Sequence, residues 1–145
     1  MGRKKPNMDD YVSTVTEGIN DIMSQIRTRT TPKNLKELAY FIMQFSGICW
    51  EYYSIKEWSD VKYKIERNRL IDSLVQKWLS YNKAEKEVEV LVQQLYIESK
   101  KAESDYKKAI LLKEAYVNFM RAAKLDMNEW VTSEMVSNAF SNISD

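Results

Sequence analysis

From Tyr11 onward the apolar residues recur at helical spacing. Val12, Val15, Ile19, Ile22 and Ile26 follow one another at steps of three and four, which puts all five on one narrow stripe of a helix over about residues 10–27. The spacing is that of a coiled-coil-like seam. Gly18 lies within this helix and lowers its intrinsic stability, so the helix is expected to need a packing partner. Residues 1–9 read as a flexible basic arm.

A polar break follows from Arg27 to Thr31. Thr31 before Pro32 has the form of a helix start, with a hydroxyl cap and a proline where its missing N–H costs nothing. The helix predicted from 32 to 79 carries Leu35, Leu38, Ile42, Phe45, Cys49 and Tyr52 on the same three-four rhythm. Ala39, Phe41, Met43, Ile48, Trp50 and Tyr53 add apolar surface on its other faces. A helix apolar nearly all round is expected to be surrounded by protein, so Trp50, Tyr52 and Tyr53 read as core. The pattern then narrows through Trp58, Val61 and Ile65 to Ile71, Leu74, Val75, Trp78 and Leu79.

Ser80, Tyr81 and Asn82 form the next turn signal, and Asn82 with Glu85 has capping-box spacing. A third helix is expected over about 83–131. Its register alternates four and three through Ala84, Val88, Leu91, Leu95, Glu98, Ala102, Asp105, Ala109, Leu112, Tyr116, Phe119 and Ala123, with Glu98 and Asp105 as the polar exceptions. Such a helix would be roughly 70 Å long at 1.5 Å per residue. With the second helix of similar length, the pattern predicts an all-α fold: a long antiparallel helical hairpin plus the shorter N-terminal helix, with coiled-coil-like packing. Residues 10–131 then form one helical domain. The tail, 132–145, is rich in Ser and Asn, and Met135, Val136, Ala139 and Phe140 suggest a short amphipathic helix there.

Composition agrees with this. The 145 residues include three glycines and two prolines, and no proline follows Pro32, so long helices meet few breakers. The lone cysteine, Cys49, has no intrachain disulfide partner, which suits a reducing cytoplasm, the host's if the protein is viral. Residues 1–10 lack the apolar core of a secretory signal, and Pro6 spoils a myristoylation pattern. Leu38–Trp50 carries no charge but is shorter than the roughly 20 apolar residues of a membrane span. No membrane role is expected.

Catalysis is not expected either. The chain has no histidine, and its scattered glycines cannot build a phosphate loop or a dinucleotide fingerprint. Glu85, Glu87 and Glu89 lack the spacing of a calcium loop, so no metal or other cofactor is implied.

Charge placement is more informative. A net charge of +1 conceals bands: Lys56–Lys83 carries +3 and Lys107–Lys124 carries +4, while Ala84–Tyr106 carries −3 and the stretch from Leu125 carries −4. Cations neutralise phosphates and rings stack on bases, so a basic band with interleaved aromatics suits single-stranded nucleic acid. Lys56, Trp58, Lys62, Tyr63, Lys64, Arg67 and Arg69 supply one such band, and Lys107, Lys108, Lys113, Arg121 and Lys124 a second. The competing reading makes Trp58 a core residue and the cations a solvated helix face.

From Trp58 to about Trp130 the order of features runs from a basic-aromatic helix, through a short polar break, to an amphipathic helix carrying SDYKKAILLKEAYVNFMRAAK. It resembles the small recombination-mediator proteins of T-even-type phages. The resemblance implies a helical, ring-forming protein that binds single-stranded DNA and helps load a recombinase. The other expectation is an adaptor, scaffold or inhibitor of a host protein that binds no nucleic acid. Both expect self-association, because the apolar stripes are wider than one neighbour can cover. The residues expected at that interface are Val12, Val15, Ile19, Ile22, Ile26, Val88, Leu91, Leu95, Leu112, Tyr116 and Phe119.

Overall fold

The computed structural model describes the backbone of residues 7–77 and 79–143, with side chains as far as Asn128. The described residues are helical with no strand: α1 Met8–Thr28, α2 Pro32–Gln76, α3 Tyr81–Leu91 and α4 Gln93–Ile143. They divide into two compact units. Unit 1 joins α1 and the start of α2, through Ile48, to α4 from Leu112 onward; unit 2 is Cys49–Leu111.

Local chemistry sets the helix ends. Asn7 caps α1, its side chain accepting from the Asp9 N–H at 3.3 Å, and Asp9, Asp10 and Arg27 suit the helix dipole at its two ends. The start of α2 is a reciprocal capping box. The Asn34 N–H donates to Thr31 Oγ1 at 3.1 Å and the Thr31 N–H donates to Asn34 Oδ1 at 2.8 Å. The Asn34 amide also donates to the Arg29 carbonyl at 2.9 Å, so this buried side chain closes the α1–α2 connection.

In unit 1 the stripe on α1 is covered by the chain itself: Val15, Ile19, Ile22 and Ile26 are buried. Leu35, Leu38, Ile42, Phe45 and Ile48 of α2 are buried as well, and the Phe45 ring meets the edge of buried Tyr116 of α4 with centroids 5.3 Å apart. Gly18 has a positive reason to be glycine. A Cβ there would stand 2.8 Å from the Phe41 ring, so its absence lets α1 and α2 approach closely.

Unit 2 is built differently. Its buried cluster is Ile71, Ala84, Val88 and Val92, with Tyr63, Leu70, Leu74 and Leu79 packed around it. The thiol of buried Cys49 donates to the Ala109 carbonyl at 3.6 Å. Pairings of Tyr53 with Tyr106, Tyr63 with Tyr96 and Arg67 with Glu89 fall steadily in one chain direction as they rise in the other, so α2 runs antiparallel to α3 and α4 in this unit.

Several expectations need correction. The third helix starts at Tyr81 under a Ser80 cap whose Oγ accepts from the Lys83 N–H, and Glu85 turns to Arg67 rather than back to Asn82. The expected single helix over 83–131 is interrupted at Val92, where φ −99° and ψ 9° depart from helical values while hydrogen bonds persist on both sides. There the stripe steps from Val88 to Val92, which is 1% exposed, and leaves Leu91 at 65%. Beyond it the buried positions are Ser99, Ala102, Ala109, Tyr116 and Ala123, with Leu95, Asp105, Tyr106, Lys113, Phe119 and Met120 among the half-buried ones. Seven of the twelve expected positions are kept, Leu91 gives way to Val92, Glu98 to Ser99 and Leu112 to Lys113, and Asp105 with Tyr106, like Phe119 with Met120, are both half-buried. Burying a carboxylate costs far more than burying a serine, and this favours Ser99 over Glu98 on the inward face. Finally, α4 passes without a break through Thr132 to Ile143; the side chains of Trp130, Met135, Val136, Ala139 and Phe140 lie outside the described residues, as do residues 1–6 and Trp78.

Candidate functional site

The first basic-aromatic band lies on the unit 2 part of α2, and most of its cations already have partners. Arg67 bridges to α3, Nη2 to Glu85 and Nε to Glu89, both at 2.8 Å. Tyr63 adds its hydroxyl to Glu89 at 3.4 Å; burial first and the Glu89 carboxylate second hold its pKa above the usual phenol range. Lys64 pairs with Asp60, and its hydrogen bond there raises its pKa; Arg69 pairs with Glu66 one turn away. Lys56 sits 5.3 Å from the Tyr106 ring centroid and 5.7 Å from that of Tyr53, with Glu57 at 3.7 Å. Lys62 is exposed, and so is Trp58 at 67%.

The second band does not converge on one unit. Lys107, paired with Glu103 at 3.0 Å, and Lys108 belong to unit 2, whereas Lys113, Arg121 and Lys124 belong to unit 1. Arg27 lies over the Phe119 ring at 5.6 Å, so part of the basic character near the α1 terminus is also engaged.

A depression of about 270 Å³ in unit 2 is lined by Lys56, Glu57, Asp60, Tyr63, Tyr96, Ser99, Lys100 and Glu103. Its charges are of both signs, and Lys100 is paired with Glu103 and sits over Tyr96. Among the described residues no group of three carboxylate or thiol side chains could hold a metal ion, and no helix is long and apolar enough to cross a membrane.

The expected self-association surface changes most. Val15, Ile19, Ile22, Ile26, Val88 and Tyr116 are buried in the single chain and have little surface to offer a partner; Val12, Leu95 and Phe119 are half-buried. Leu91 and Leu112 remain exposed. A different surface is open: α2 is not surrounded by protein. Tyr40, Met43, Trp50, Trp58, Val61 and Ile65 are exposed, with Trp50 at 69%. The core reading of Trp50, and the continuation of the inward stripe through Trp58, Val61 and Ile65, were therefore expectations on the wrong face. The inward face of that stretch is made by Tyr52, Lys56, Tyr63, Arg67 and Leu70, whose alkyl and aromatic bodies cover the neighbouring helix while the Tyr63 hydroxyl and the Arg67 guanidinium reach Glu89. A second three-four series beginning at Tyr40, out of phase with the Leu35 series, was the available signal.

No protein-family model, curated protein or solved structure matches the chain.

Proposed function

We propose that this chain is a non-enzymatic assembly protein that associates with further copies of itself through the outward face of α2. The observation that carries the proposal is the exposure of Trp50 and Trp58, with Val61 and Ile65, on the unit 2 stretch of α2, whose opposite face is occupied. Tryptophan exposed to about two thirds, as Trp50 and Trp58 are, is unfavourable in isolation, because a ring that buries 150–250 Å² when fully covered still leaves most of its apolar surface in water. Aromatic anchors are the side chains that most often dominate association energy. Light scattering on the eluting peak is expected to give a mass that is a multiple of 17.1 kDa. A single-chain mass across the micromolar range would overturn the proposal.

Single-stranded DNA binding is the second reading, supported by exposed Trp58 close in sequence to Lys62 and by the resemblance to recombination mediators. The ion pairs of Lys64, Arg67 and Arg69 weigh against it, since paired cations release fewer counterions from phosphate. Under this reading a labelled single-stranded oligonucleotide shifts at low salt and is released at high salt. No shift at low salt would reject it.

A further inference from the structure

Two tyrosine pairs join α2 to α4 within unit 2, Tyr53 with Tyr106 and Tyr63 with Tyr96, their ring centroids 5.5 and 5.6 Å apart. The antiparallel register that they fix sets Lys56 opposite Glu103 and Asp60 opposite Ser99. Neither opposed pair closes: among the described residues no hydrogen bond or ion pair joins them. The depression of about 270 Å³ lies at this level, and all of its lining belongs to unit 2. One larger apolar side chain would close such a gap and gain packing, but the buried position facing it is Ser99, which is 8% exposed. Among the described residues the Ser99 hydroxyl takes no hydrogen-bond partner, and Ser99 lines the depression. A polar group so deeply buried without a protein partner finds its partner in whatever fills the space beside it.

The lining is unsatisfied in both signs. Lys56 is half-buried over the Tyr53 and Tyr106 rings, and its nearest carboxylate oxygen, of Glu57, is at 3.7 Å, beyond hydrogen-bond reach. Lys100 reaches Glu103 only at 3.4 Å. On the acceptor side, half-buried Asp60 places one carboxylate oxygen on Lys64 at 2.8 Å and has no partner for the other among the described residues. Glu103 is satisfied by Lys107 and Lys100. Ammonium N–H groups lacking acceptors therefore stand beside a carboxylate oxygen lacking a donor, and a serine hydroxyl can serve either. A simple anion would meet Glu57 and Asp60, and a simple cation would meet Lys56 and Lys100. A molecule carrying both charges can set each against its opposite.

We infer that this depression binds a small zwitterion, a free amino acid. Its carboxylate lies against Lys56 and Lys100, its ammonium against Asp60, and the Ser99 hydroxyl hydrogen-bonds to it. Lys56 and Asp60 are one turn apart on α2, about 6 Å along the axis, so the spacing of carboxylate and ammonium selects among amino acids. Ligand and partner chain use different residues, since none of Trp50, Trp58, Val61 and Ile65 lines the depression.

Titration of the full chain with glycine, β-alanine and γ-aminobutyrate, followed through backbone amide resonances, tests the site. Ligands this small bind in the micromolar to millimolar range. At least one of the three is expected to give saturable shifts at the Tyr96, Ser99 and Lys100 amides. Acetate and methylammonium, each half of the ligand, are expected to bind at least about tenfold more weakly, the loss of one charge-assisted hydrogen bond. Ser99→Ala and Lys56→Gln are each expected to weaken binding by a similar factor with helical circular dichroism unchanged. Lys62→Gln, exposed and outside the depression, is expected to leave binding as it was. Acetate or methylammonium binding as tightly as the amino acids would overturn the zwitterion assignment, and so would undiminished binding by Ser99→Ala and Lys56→Gln. No saturation by tens of millimolar of any of the three amino acids would overturn the site itself.

Discussion

The two units hold themselves together by different means. Unit 1 stacks branched aliphatic residues and a Phe45–Tyr116 ring pair between α1, α2 and α4, and its buried residues from Val15 to Ile48 are apolar except for Asn34 at the α1–α2 connection. Unit 2 has a smaller buried cluster, Ile71, Ala84, Val88 and Val92, extended by tyrosines and by the bridge from Arg67 to Glu85 and Glu89. Apolar burial contributes about 25 cal/mol per Å², whereas exposed ion pairs contribute roughly 0–1 kcal/mol each. Unit 2 is therefore the weaker unit in isolation, and it carries the exposed tryptophans. A face that stabilises a weak unit by meeting another chain couples folding to assembly.

The sharpest contrast comes from core truncation. Phe45→Ala removes a ring buried against Tyr116 and is expected to cost about 3–5 kcal/mol in chemical denaturation, whereas Ile71→Ala in the smaller cluster is expected to cost about 2. Equal losses would mean that the two interiors are equivalent. Arg67→Met keeps the stem that packs on α3 but removes both ion pairs; with Glu85 and Glu89 well exposed, the expected loss is about 1 kcal/mol and is smaller still in high salt.

The glycines divide in the same way. Gly47→Ala places a methyl in open space and is expected to stabilise the single chain by up to about 1 kcal/mol through helix propensity. Gly18→Ala must first displace the Phe41 ring and is expected to gain less or to lose. The smallest effect is at alkaline pH. Burial holds the Tyr116 phenol above its usual range, so its stabilising contribution is complete below the usual phenol pKa and is lost as pH rises through the folded value. Tyr116→Phe is expected to move the alkaline unfolding midpoint upward.

On α1 the inward stripe was legible because its periodic series has no rival. Val15 to Ile26 and Leu35 to Cys49 follow the sequence spacing residue for residue. The Thr31–Pro32 start was also legible, because capping chemistry is local. Two features were not. In α4 both Leu91 and Val92 continue an apolar series, and only the bend at Val92 decides between them. On α2 apolar residues lie on two faces, and periodicity alone cannot say which face meets the rest of the chain. The basic bands were visible as composition, but the pairing of Arg67 with Glu85 and Glu89 depends on an antiparallel contact between residues far apart in sequence.

Sedimentation of the Trp50→Ser, Trp58→Ser double variant addresses the outward face of α2 most directly, with Leu111→Ser, an exposed site on α4, as the control. The double variant is expected to sediment as a single chain with unchanged helical circular dichroism, while the control still associates. A double variant that assembles as the unsubstituted chain does would contradict the assignment of self-association to this face.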